Sequence, residues 1–205
     1  MTPLADLQNQ ATLHHLCETA ELRAALRARL APREGRKEYA GDLVLAEGET
    51  LAFEEREVHV TGNLVLHDQA RLYVAGNLTV DGNVVAVNYD YTLLFVGGTL
   101  EAKNLLGSGE LVALGGIQVQ GVAWTFYNDY STYTDVLRAR TVVQDDRSEF
   151  VGEVQAVRPV DSHPARLNDS LRPLLRPEVL EEDGSWEVRA LAKRLLAGEE
   201  LLAAG

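Results

Sequence analysis

Acidic and aromatic side chains recur through the middle of the chain, and these residues are its candidates for chemistry. The carboxylates stand five to eight positions before a regularly recurring small residue: Asp68, Asp90, Glu110, Asp129, Asp145 and Asp146. The aromatic residues stand beside them in sequence: Tyr89, Tyr91, Trp124, Phe126, Tyr127, Tyr130 and Tyr133. Similar offsets along a coiled chain would stack the carboxylates at one corner, as an acidic groove that binds a cation or acts on a sugar. Aromatic rings beside acids can also stack on sugars or anchor a partner protein.

Both groups also have a purely structural interpretation. Asp side chains hydrogen-bond their own backbone in turns, and Trp124 and Phe126 can pack beneath the long connection between Val119 and Asp135. We keep both interpretations open for the acidic and aromatic corner. The candidate ligand or partner surface comprises Tyr89, Asp90, Tyr91, Trp124, Tyr127, Asp129, Tyr130, Asp145 and Asp146.

The sequence has no arrangement typical of a catalytic or metal centre. Gly107-Ser108-Gly109-Glu110 lacks the Gly-Lys-Ser/Thr ending of a phosphate loop. There is one cysteine, Cys17, and no His-Glu-x-x-His motif. Ser131 has no histidine near it in sequence, so nothing supports a nucleophilic triad. We therefore predict no catalytic residue, no metal and no cofactor.

Small residues punctuate residues 39–158, and apolar residues flank them at even steps. Seven of them serve as reference points: Gly41, Gly62, Gly76, Gly98, Gly115, Asp135 and Gly152. The residues two before, two after and four after each reference point are all apolar or aromatic. Alternation with a period of two residues is typical of β-strands. Its repetition along the chain predicts a repeat protein.

The uneven spacing of the reference residues indicates which kind of repeat protein this is. The intervals range from 14 to 22 residues, whereas a left-handed hexapeptide helix needs an apolar residue at every sixth position. A right-handed parallel β-helix accepts uneven coils because extra residues bulge out at the turns. The sequence therefore predicts a mainly β fold, a right-handed parallel β-helix of about seven coils stacked about 4.8 Å apart.

The two ends of the chain have helical patterns instead. Residues 1–38 are predicted to form an N-terminal segment, with one helix over residues 2–31 and a charged joint at residues 33–38. Residues 159–205 are predicted to form a Pro-containing linker and a helix from Trp186 to Ala197, capped by Ser185 and followed by Gly198. Because a solenoid exposes its core and strand edges at its ends, we expect these segments to cap the ends.

Three apolar residues are predicted to point outward on neighbouring coils: Tyr73, Phe95 and Val112. An apolar stripe of this kind needs a cover. The N-terminal helix is long enough to double back over it at about 1.5 Å per residue, and a second subunit could cover it by two-fold pairing. We favour the second possibility and predict a small homo-oligomer with these residues as its oligomer face.

Composition narrows the range of partners and compartments. A net charge of −12 argues against binding to nucleic acid or to an anionic membrane surface. No apolar run approaches the roughly 20 residues of a membrane span, and the N-terminus lacks the pattern of a signal peptide. A single cysteine excludes an internal disulfide and fits a reducing compartment. We therefore expect a soluble cytoplasmic protein.

Three stretches of the repeat region resemble a bacterial β-solenoid group known as polymer-forming cytoskeletal proteins, which includes the bactofilins. They are residues 92–105 (TLLFVGGTLEAKNL), 122–130 (VAWTFYNDY) and 137–146 (LRARTVVQDD). The resemblance implies Gly-punctuated right-handed β-helix coils and assembly from end to end. The chain differs from bactofilins, whose tails are short and unstructured, in having helical segments at both ends.

These features lead to one predicted function and one alternative. We predict a non-enzymatic β-solenoid scaffold or assembly protein that associates with itself or with another protein. The alternative is a carbohydrate-binding or carbohydrate-active β-helix that uses the acidic and aromatic corner.

Overall fold

The described residues contain fourteen parallel strands, most of them with alternating apolar side chains. These strands wind into a β-solenoid of about six coils with flanking helices. The structure is a computed structural model and describes residues 3–87, 90–126, 129–145, 148–160 and 164–203. The strands are β1 (Arg33–Tyr39), β2 (Leu43–Leu45), β3 (Thr50–Phe53), β4 (Glu55–Val60), β5 (Leu64–Leu66), β6 (Arg71–Val74), β7 (Asn77–Ala86), β8 (Leu93–Val96), β9 (Thr99–Gly107), β10 (Glu110–Ala113), β11 (Gly116–Val119), β12 (Val122–Phe126), β13 (Ser131–Asp145) and β14 (Ser148–Pro159). The helices are α1 (Pro3–Gln8), α2 (His14–Cys17), α3 (Ala20–Arg29), α4 (Pro164–Leu171) and α5 (Val188–Leu196). Two 3₁₀ turns, Arg172–Leu174 and Pro177–Val179, lie between α4 and α5.

Three parallel ladders form the sides of the rod. Side A contains β1, β4, β11 and the first parts of β7 and β9, and it continues through residues 136–139 of β13 and 153–156 of β14. Side B contains β2, β5, β12 and the second parts of β7 and β9, and it continues through the last part of β13. Side C contains β3, β6, β8, β10 and the first parts of β13 and β14. The predicted solenoid with flanking helices is confirmed, and its right-handed sense stays a prediction.

Inward side chains stack in register from coil to coil. On side A, Val58 pairs with Leu78, Leu78 with Leu100, and Leu100 with Ile117. All four are buried in one continuous core cluster. Removing such surface from water contributes roughly 25 cal/mol per Å², so this column is a main source of the rod's stability.

The reference glycines lie on two different corners of the rod. Gly62 stacks on Gly41 between sides A and B, where the Gly62 N–H donates to the Gly41 carbonyl at 3.0 Å. Gly98 stacks on Gly76 between sides C and A, at 2.8 Å. Between Gly62 and Gly76 the chain therefore passes along sides B and C only, so this 14-residue interval is shorter than a full coil. The rod has about six coils, where the sequence predicted about seven.

The N-terminal residues 3–30, called here the N-terminal cover, lie along side C. They form three short helices in place of the predicted single helix, since Thr19 accepts a hydrogen bond from the Leu22 N–H at 3.2 Å and starts α3 afresh. Arg23 is buried and makes an ion pair with Asp135 at 2.7 Å, which fixes α3 to the rod. The residues predicted as a charged joint, 33–38, belong to strand β1.

The predicted oligomer face lies beneath this cover. Tyr73, Phe95 and Val112 have no exposed surface and share one apolar cluster with residues of the N-terminal cover: Leu4, Leu7, Leu13, Cys17, Leu26 and Leu30. The assignment of the stripe to a second subunit was therefore wrong, because the chain's own helices double back over it.

Residues 164–203, called here the C-terminal cover, lie along side B. They share an apolar cluster with outward residues of that side: Val85, Leu106, Val122, Trp124 and Val143. Helix α5 begins after Glu187, whose carboxylate accepts from the Arg189 and Ala190 N–H groups, so the cap predicted at Ser185 is displaced by two residues. Gly198 follows the helix with φ +80°, as predicted for a C-terminal glycine.

Both segments therefore cover sides of the rod, where end caps had been predicted. Side A carries exposed polar residues such as Glu101, Gln118 and Arg138. Among the described residues no helix is long and apolar enough to cross a membrane.

Candidate functional site

The predicted acidic positions meet at the corner between sides B and C. Asp68 lies between β5 and β6, Asp90 between β7 and β8, and Asp129 between β12 and β13. Asp145 ends the side-B part of β13, where it pairs with Phe126, and Glu110 begins β10. Three predicted site residues, Tyr89, Tyr127 and Asp146, lie outside the described residues.

Trp124 does not belong to this corner surface. Its side chain is buried on side B, and its ring meets that of Trp186 edge-on, with centroids 5.7 Å apart. Phe126 packs against the same apolar cluster. The structural interpretation of both residues is therefore correct, although the C-terminal cover lies over them and not the predicted connection. Trp124 was wrong as a ligand or partner residue.

Three of the predicted residues do come together, in a depression that we call the corner cup. Its volume is about 450 Å³, and it is lined by Gly48, Thr50, Gln69, Arg71, Asp90, Tyr91 and Tyr130. Asp90, Tyr91 and Tyr130 were predicted from the sequence, and the other four were not. Gly48, Gln69 and Asp90 follow one another at intervals of 21 residues, a spacing that could have pointed to their neighbourhood.

The polar and aromatic groups of the cup contact one another. The rings of Tyr91 and Tyr130 are tilted, with centroids 5.4 Å apart. The Arg71 guanidinium lies 5.1 Å from the centroid of the Tyr91 ring, within the range of a cation–π contact. The Gln69 amide donates to Asp90 Oδ2 at 3.4 Å. Both Gln69 and Asp90 are exposed, so their remaining polar capacity faces solvent.

Tyr91 is held from behind by the buried carboxyl of Glu110. Glu110 is 4% exposed and is hydrogen-bonded to the Tyr91 hydroxyl. It accepts a further bond from the Leu13 N–H at 3.0 Å. Burial, followed by the nearby Glu110 carboxylate, raises the pKa of Tyr91, so this phenol stays protonated. Burial likewise raises the pKa of Glu110, while its hydrogen-bond donors act in the opposite direction.

The backbone at Gln69 is strained. Its φ of +61° lies in the left-handed region, and Gln69 is the one non-glycine residue with a positive φ in the described part of the chain. The preceding coil has Gly48 in the corresponding turn, with φ +72°. The Gly48 N–H donates to the Asp68 carbonyl at 2.9 Å, so the two turns lie one above the other.

Cys17 lies near Glu110, in the apolar cluster of the N-terminal cover. Cys17 is buried, and burial, with the Glu110 charge adding to it, raises its pKa to about 12, so it is not a reactive thiolate. Within the described ranges, no group of three or more His, Cys, Asp or Glu residues is placed to hold a metal ion.

A second candidate surface lies at the end of the rod formed by β14, which we call the open end. Strand β14 pairs with β13 along one edge, and no described strand pairs with its other edge. Val154 continues the inward column above Leu137. Leu137 is 1% exposed, but Val154 is 44% exposed and Val157 is 81% exposed. Apolar residues and backbone groups are therefore accessible together at this end.

The opposite end, formed by β1, is blocked. Six of its seven residues are exposed, and five of these are charged: Arg33, Glu34, Arg36, Lys37 and Glu38. Lys37 pairs with Val58 and so occupies the inward column, with its Nζ 6.0 Å from the centroid of the Tyr39 ring. The Tyr39 and Phe53 rings meet edge-on, with centroids 5.7 Å apart, over the first coil.

Comparison of the chain with protein-family models, with curated proteins and with solved structures finds no match. Two surfaces of the molecule are candidates for its function, the open end and the corner cup.

Proposed function

We propose that the protein is a non-enzymatic scaffold that assembles with a second copy of itself through the open end. The observation that carries this proposal is the contrast between the two ends of the rod. The inward column ends in Val154, which is 44% exposed at the open end, and in Lys37 at the blocked end.

The open end has the properties of a pairing edge. A strand at the edge of a sheet offers a row of unpaired N–H and C=O groups, and soluble proteins usually protect such edges with charges, especially lysine. Strand β1 has this protection, with Lys37 directed into the inward column. Strand β14 instead places Val151, Val154 and Ala156 in positions that continue the core.

One open end and one blocked end favour a closed pair of rods over a filament. A filament of polar subunits needs two complementary ends, whereas a two-fold interface uses the same surface on both copies. A two-fold axis across the open end sets β14 of one copy antiparallel to β14 of the other. The net charge of −12 also opposes unlimited stacking. The resemblance to polymer-forming β-solenoids supports assembly as a role, although a closed pair differs from a polymer.

The oligomeric state of substituted proteins tests the proposal. The wild-type protein is expected to sediment as a dimer, and Val157→Glu is expected to give a monomer with unchanged β circular dichroism. Val157 is 81% exposed, so its substitution has little effect on the fold of a single chain. Val154→Glu should have the same effect on assembly.

A matched control is available at the blocked end. Val44, which is 51% exposed on β2, can be changed to Glu with the same change of charge and size. This variant is expected to remain dimeric. A wild-type protein that is monomeric at its highest soluble concentration would end the assembly proposal, and equal dimerisation of all the variants would place the interface elsewhere.

A carbohydrate-binding role, the alternative that the sequence suggests, would use a different part of the molecule. Of the nine residues first considered for it, the cup unites Asp90, Tyr91 and Tyr130. Sugar binding at this corner does not compete for the open end, so the two functions are compatible.

A further inference from the structure

We infer that the corner cup is a binding site for a neutral sugar, a function beyond assembly that uses a separate surface. The site combines two tyrosine rings with an exposed carboxylate, an amide and a guanidinium, contributed by several coils along this corner. A pyranose presents an apolar C–H face and a rim of hydroxyl groups, which fit an aromatic surface and a set of hydrogen-bonding groups respectively.

The choice of residue at position 69 points to a ligand. The turn needs a left-handed backbone there, which glycine adopts freely and other L-residues adopt at a cost. The preceding coil uses glycine, Gly48, for this conformation, but this coil carries Gln69 with φ +61°. The side chain of Gln69 lines the cup and reaches Asp90 Oδ2. Strain of this kind collects at binding and catalytic sites, because the side chain does something there that glycine cannot do.

The aromatic surface is fixed in position before any ligand arrives. The Tyr91 hydroxyl is bonded to buried Glu110, which is itself bonded to the Leu13 N–H, and the Arg71 guanidinium lies against the ring. The Tyr130 ring leans on Tyr91 at 58°. A binding site whose groups are already immobilised loses less freedom on binding than a flexible one.

The charges of the cup favour an uncharged ligand. Among the lining residues that the structure describes, Asp90 is the one acid and Arg71 the one base, so their charges balance, whereas the whole chain carries −12. The Tyr91 ring already has a cation beside it in Arg71. A quaternary ammonium ligand on this surface would meet a like charge, and an anionic polymer would meet the field of an acidic protein.

The hydrogen-bonding groups suit neighbouring hydroxyls. The Asp90 carboxylate accepts at two oxygens, and the Gln69 amide both donates and accepts. Two adjacent hydroxyls can bridge such a pair, because each hydroxyl donates one bond and accepts others. The 450 Å³ volume lies within the range of small-ligand sites, and the cup holds one or two sugar units at the end of a longer glycan.

Titration of the dimeric or monomeric protein with four neutral disaccharides tests this inference. The probes are cellobiose, maltose, lactose and N,N′-diacetylchitobiose, and the readout is the ring NMR signals of Tyr91 and Tyr130. At least one probe is expected to shift these signals in a saturable manner. The variants Gln69→Gly and Asp90→Asn are expected to weaken its affinity about tenfold each, since each removes bonds to a polar ligand.

The Gln69→Gly variant separates a binding role from a structural one. Because glycine prefers the left-handed backbone, this variant is expected to melt at the same temperature as wild type or above it, while it loses affinity. The matched control is Asp68→Asn, which removes a carboxylate from the same corner outside the cup lining and should leave binding unchanged. The inference is overturned if none of the four sugars binds, if choline chloride binds in their place, or if Gln69→Gly and Asp90→Asn bind as well as wild type.

Discussion

The buried Glu110 should make the stability of the protein fall as the pH rises. Burial raises its pKa above the ordinary value of 4.5, although the Leu13 N–H, the Tyr91 and Thr12 hydroxyls and the positive charge of His14 favour the ionised form. The folded state therefore holds the proton more tightly than the unfolded state does. Stability linked to this carboxyl is complete below about pH 4.5 and is lost as the pH rises through the folded-state pKa.

The size of the effect follows from proton linkage. One carboxyl changes the free energy of unfolding by at most about 1.4 kcal/mol per pH unit, and only between its unfolded and folded pKa values. Glu110→Gln cannot ionise, but its amide oxygen can still accept from the Leu13 N–H, which Glu110 binds at 3.0 Å. The difference in stability between the variant and wild type should therefore grow in favour of the variant as the pH rises through this window.

Urea unfolding followed by circular dichroism, at several values between about pH 5 and about pH 8, measures this difference. Comparison of the two proteins at each pH cancels the titration of groups that do not interact with Glu110. Tyr91 and Cys17 do interact with it, but their raised pKa values keep both groups protonated throughout this pH range. Glu101→Gln, an exposed position on side A, is the matched control and should follow wild type. Parallel pH profiles for wild type and Glu110→Gln would refute the role of burial in setting this pKa.

Further predictions concern the core and the two covers. Leu78→Ala should lower the free energy of unfolding by about 2.7–5 kcal/mol, because the Leu78 side chain is fully buried. Thr79 points outward, so Thr79→Ala should change this free energy by less than about 0.5 kcal/mol. Equal effects of the two substitutions in urea unfolding would contradict the strand register. Phe95→Glu should place an unpaired charge beneath the N-terminal cover and detach the cover from side C. Faster proteolysis of residues 3–29 would reveal the detachment. Unchanged proteolysis would mean that the cover does not depend on its apolar cluster with Phe95. Deletion of residues 160–205 should expose the outward apolar residues of side B around Trp124, which stronger binding of an apolar dye and aggregation would reveal. A soluble product that binds no more dye than wild type would show that side B does not need the C-terminal cover.

The sequence predicts the coils well because side-chain alternation is a local property. An inward column of Leu, Val and Ile is required wherever a strand has one buried face, and residues such as Leu78 and Leu100 occupy it as expected. The residues that follow them, Thr79 and Glu101, point outward. Strand identity and inward direction can therefore be read from a short stretch of sequence.

The order of the corners cannot be read in the same way. A Cβ at Gly62 would collide with Asp42, and a Cβ at Gly76 would collide with the backbone of Arg56. At both corners the neighbouring coil lies too close for a Cβ. A glycine in the sequence therefore indicates a corner but does not identify which of the corners it occupies. The sequence therefore gives the number of coils only approximately, about seven against about six.

The places where the flanking helices pack depend on contacts between distant parts of the chain. The apolar character of Phe95 and its outward direction are visible in the sequence, and so is the need for a cover. The choice between a second subunit and the N-terminal helices is decided by tertiary contacts such as the Arg23–Asp135 ion pair, which joins residues 112 positions apart. The same holds for Trp124. Its position in the alternating pattern predicts that it points outward, but the sequence does not show that the C-terminal cover buries it.

The candidate site was predictable only in part for a related reason. Asp90 and Tyr91 are neighbours in sequence, which drew attention to them, and the recurrence of acids placed Tyr130 nearby. Gln69 and Arg71 come from the preceding coil, and their side chains reach the cup through the stacking of coils. The importance of Gln69 depends on its backbone conformation, which the residue type does not reveal.

The two covers also determine how long the rod can be. In a bare solenoid each coil contacts only its neighbours, so a coil can be gained or lost almost anywhere. Here the N-terminal cover spans several coils of side C, from Tyr73 on β6 to Phe150 on β14, and Arg23 is tied to Asp135 near its far end. An inserted coil would separate these points by about 4.8 Å, leaving apolar surface uncovered or the ion pair broken. The helices of the N-terminal cover therefore limit the number of coils. We expect the chain to tolerate changes in the loops at its corners far better than the gain or loss of a coil.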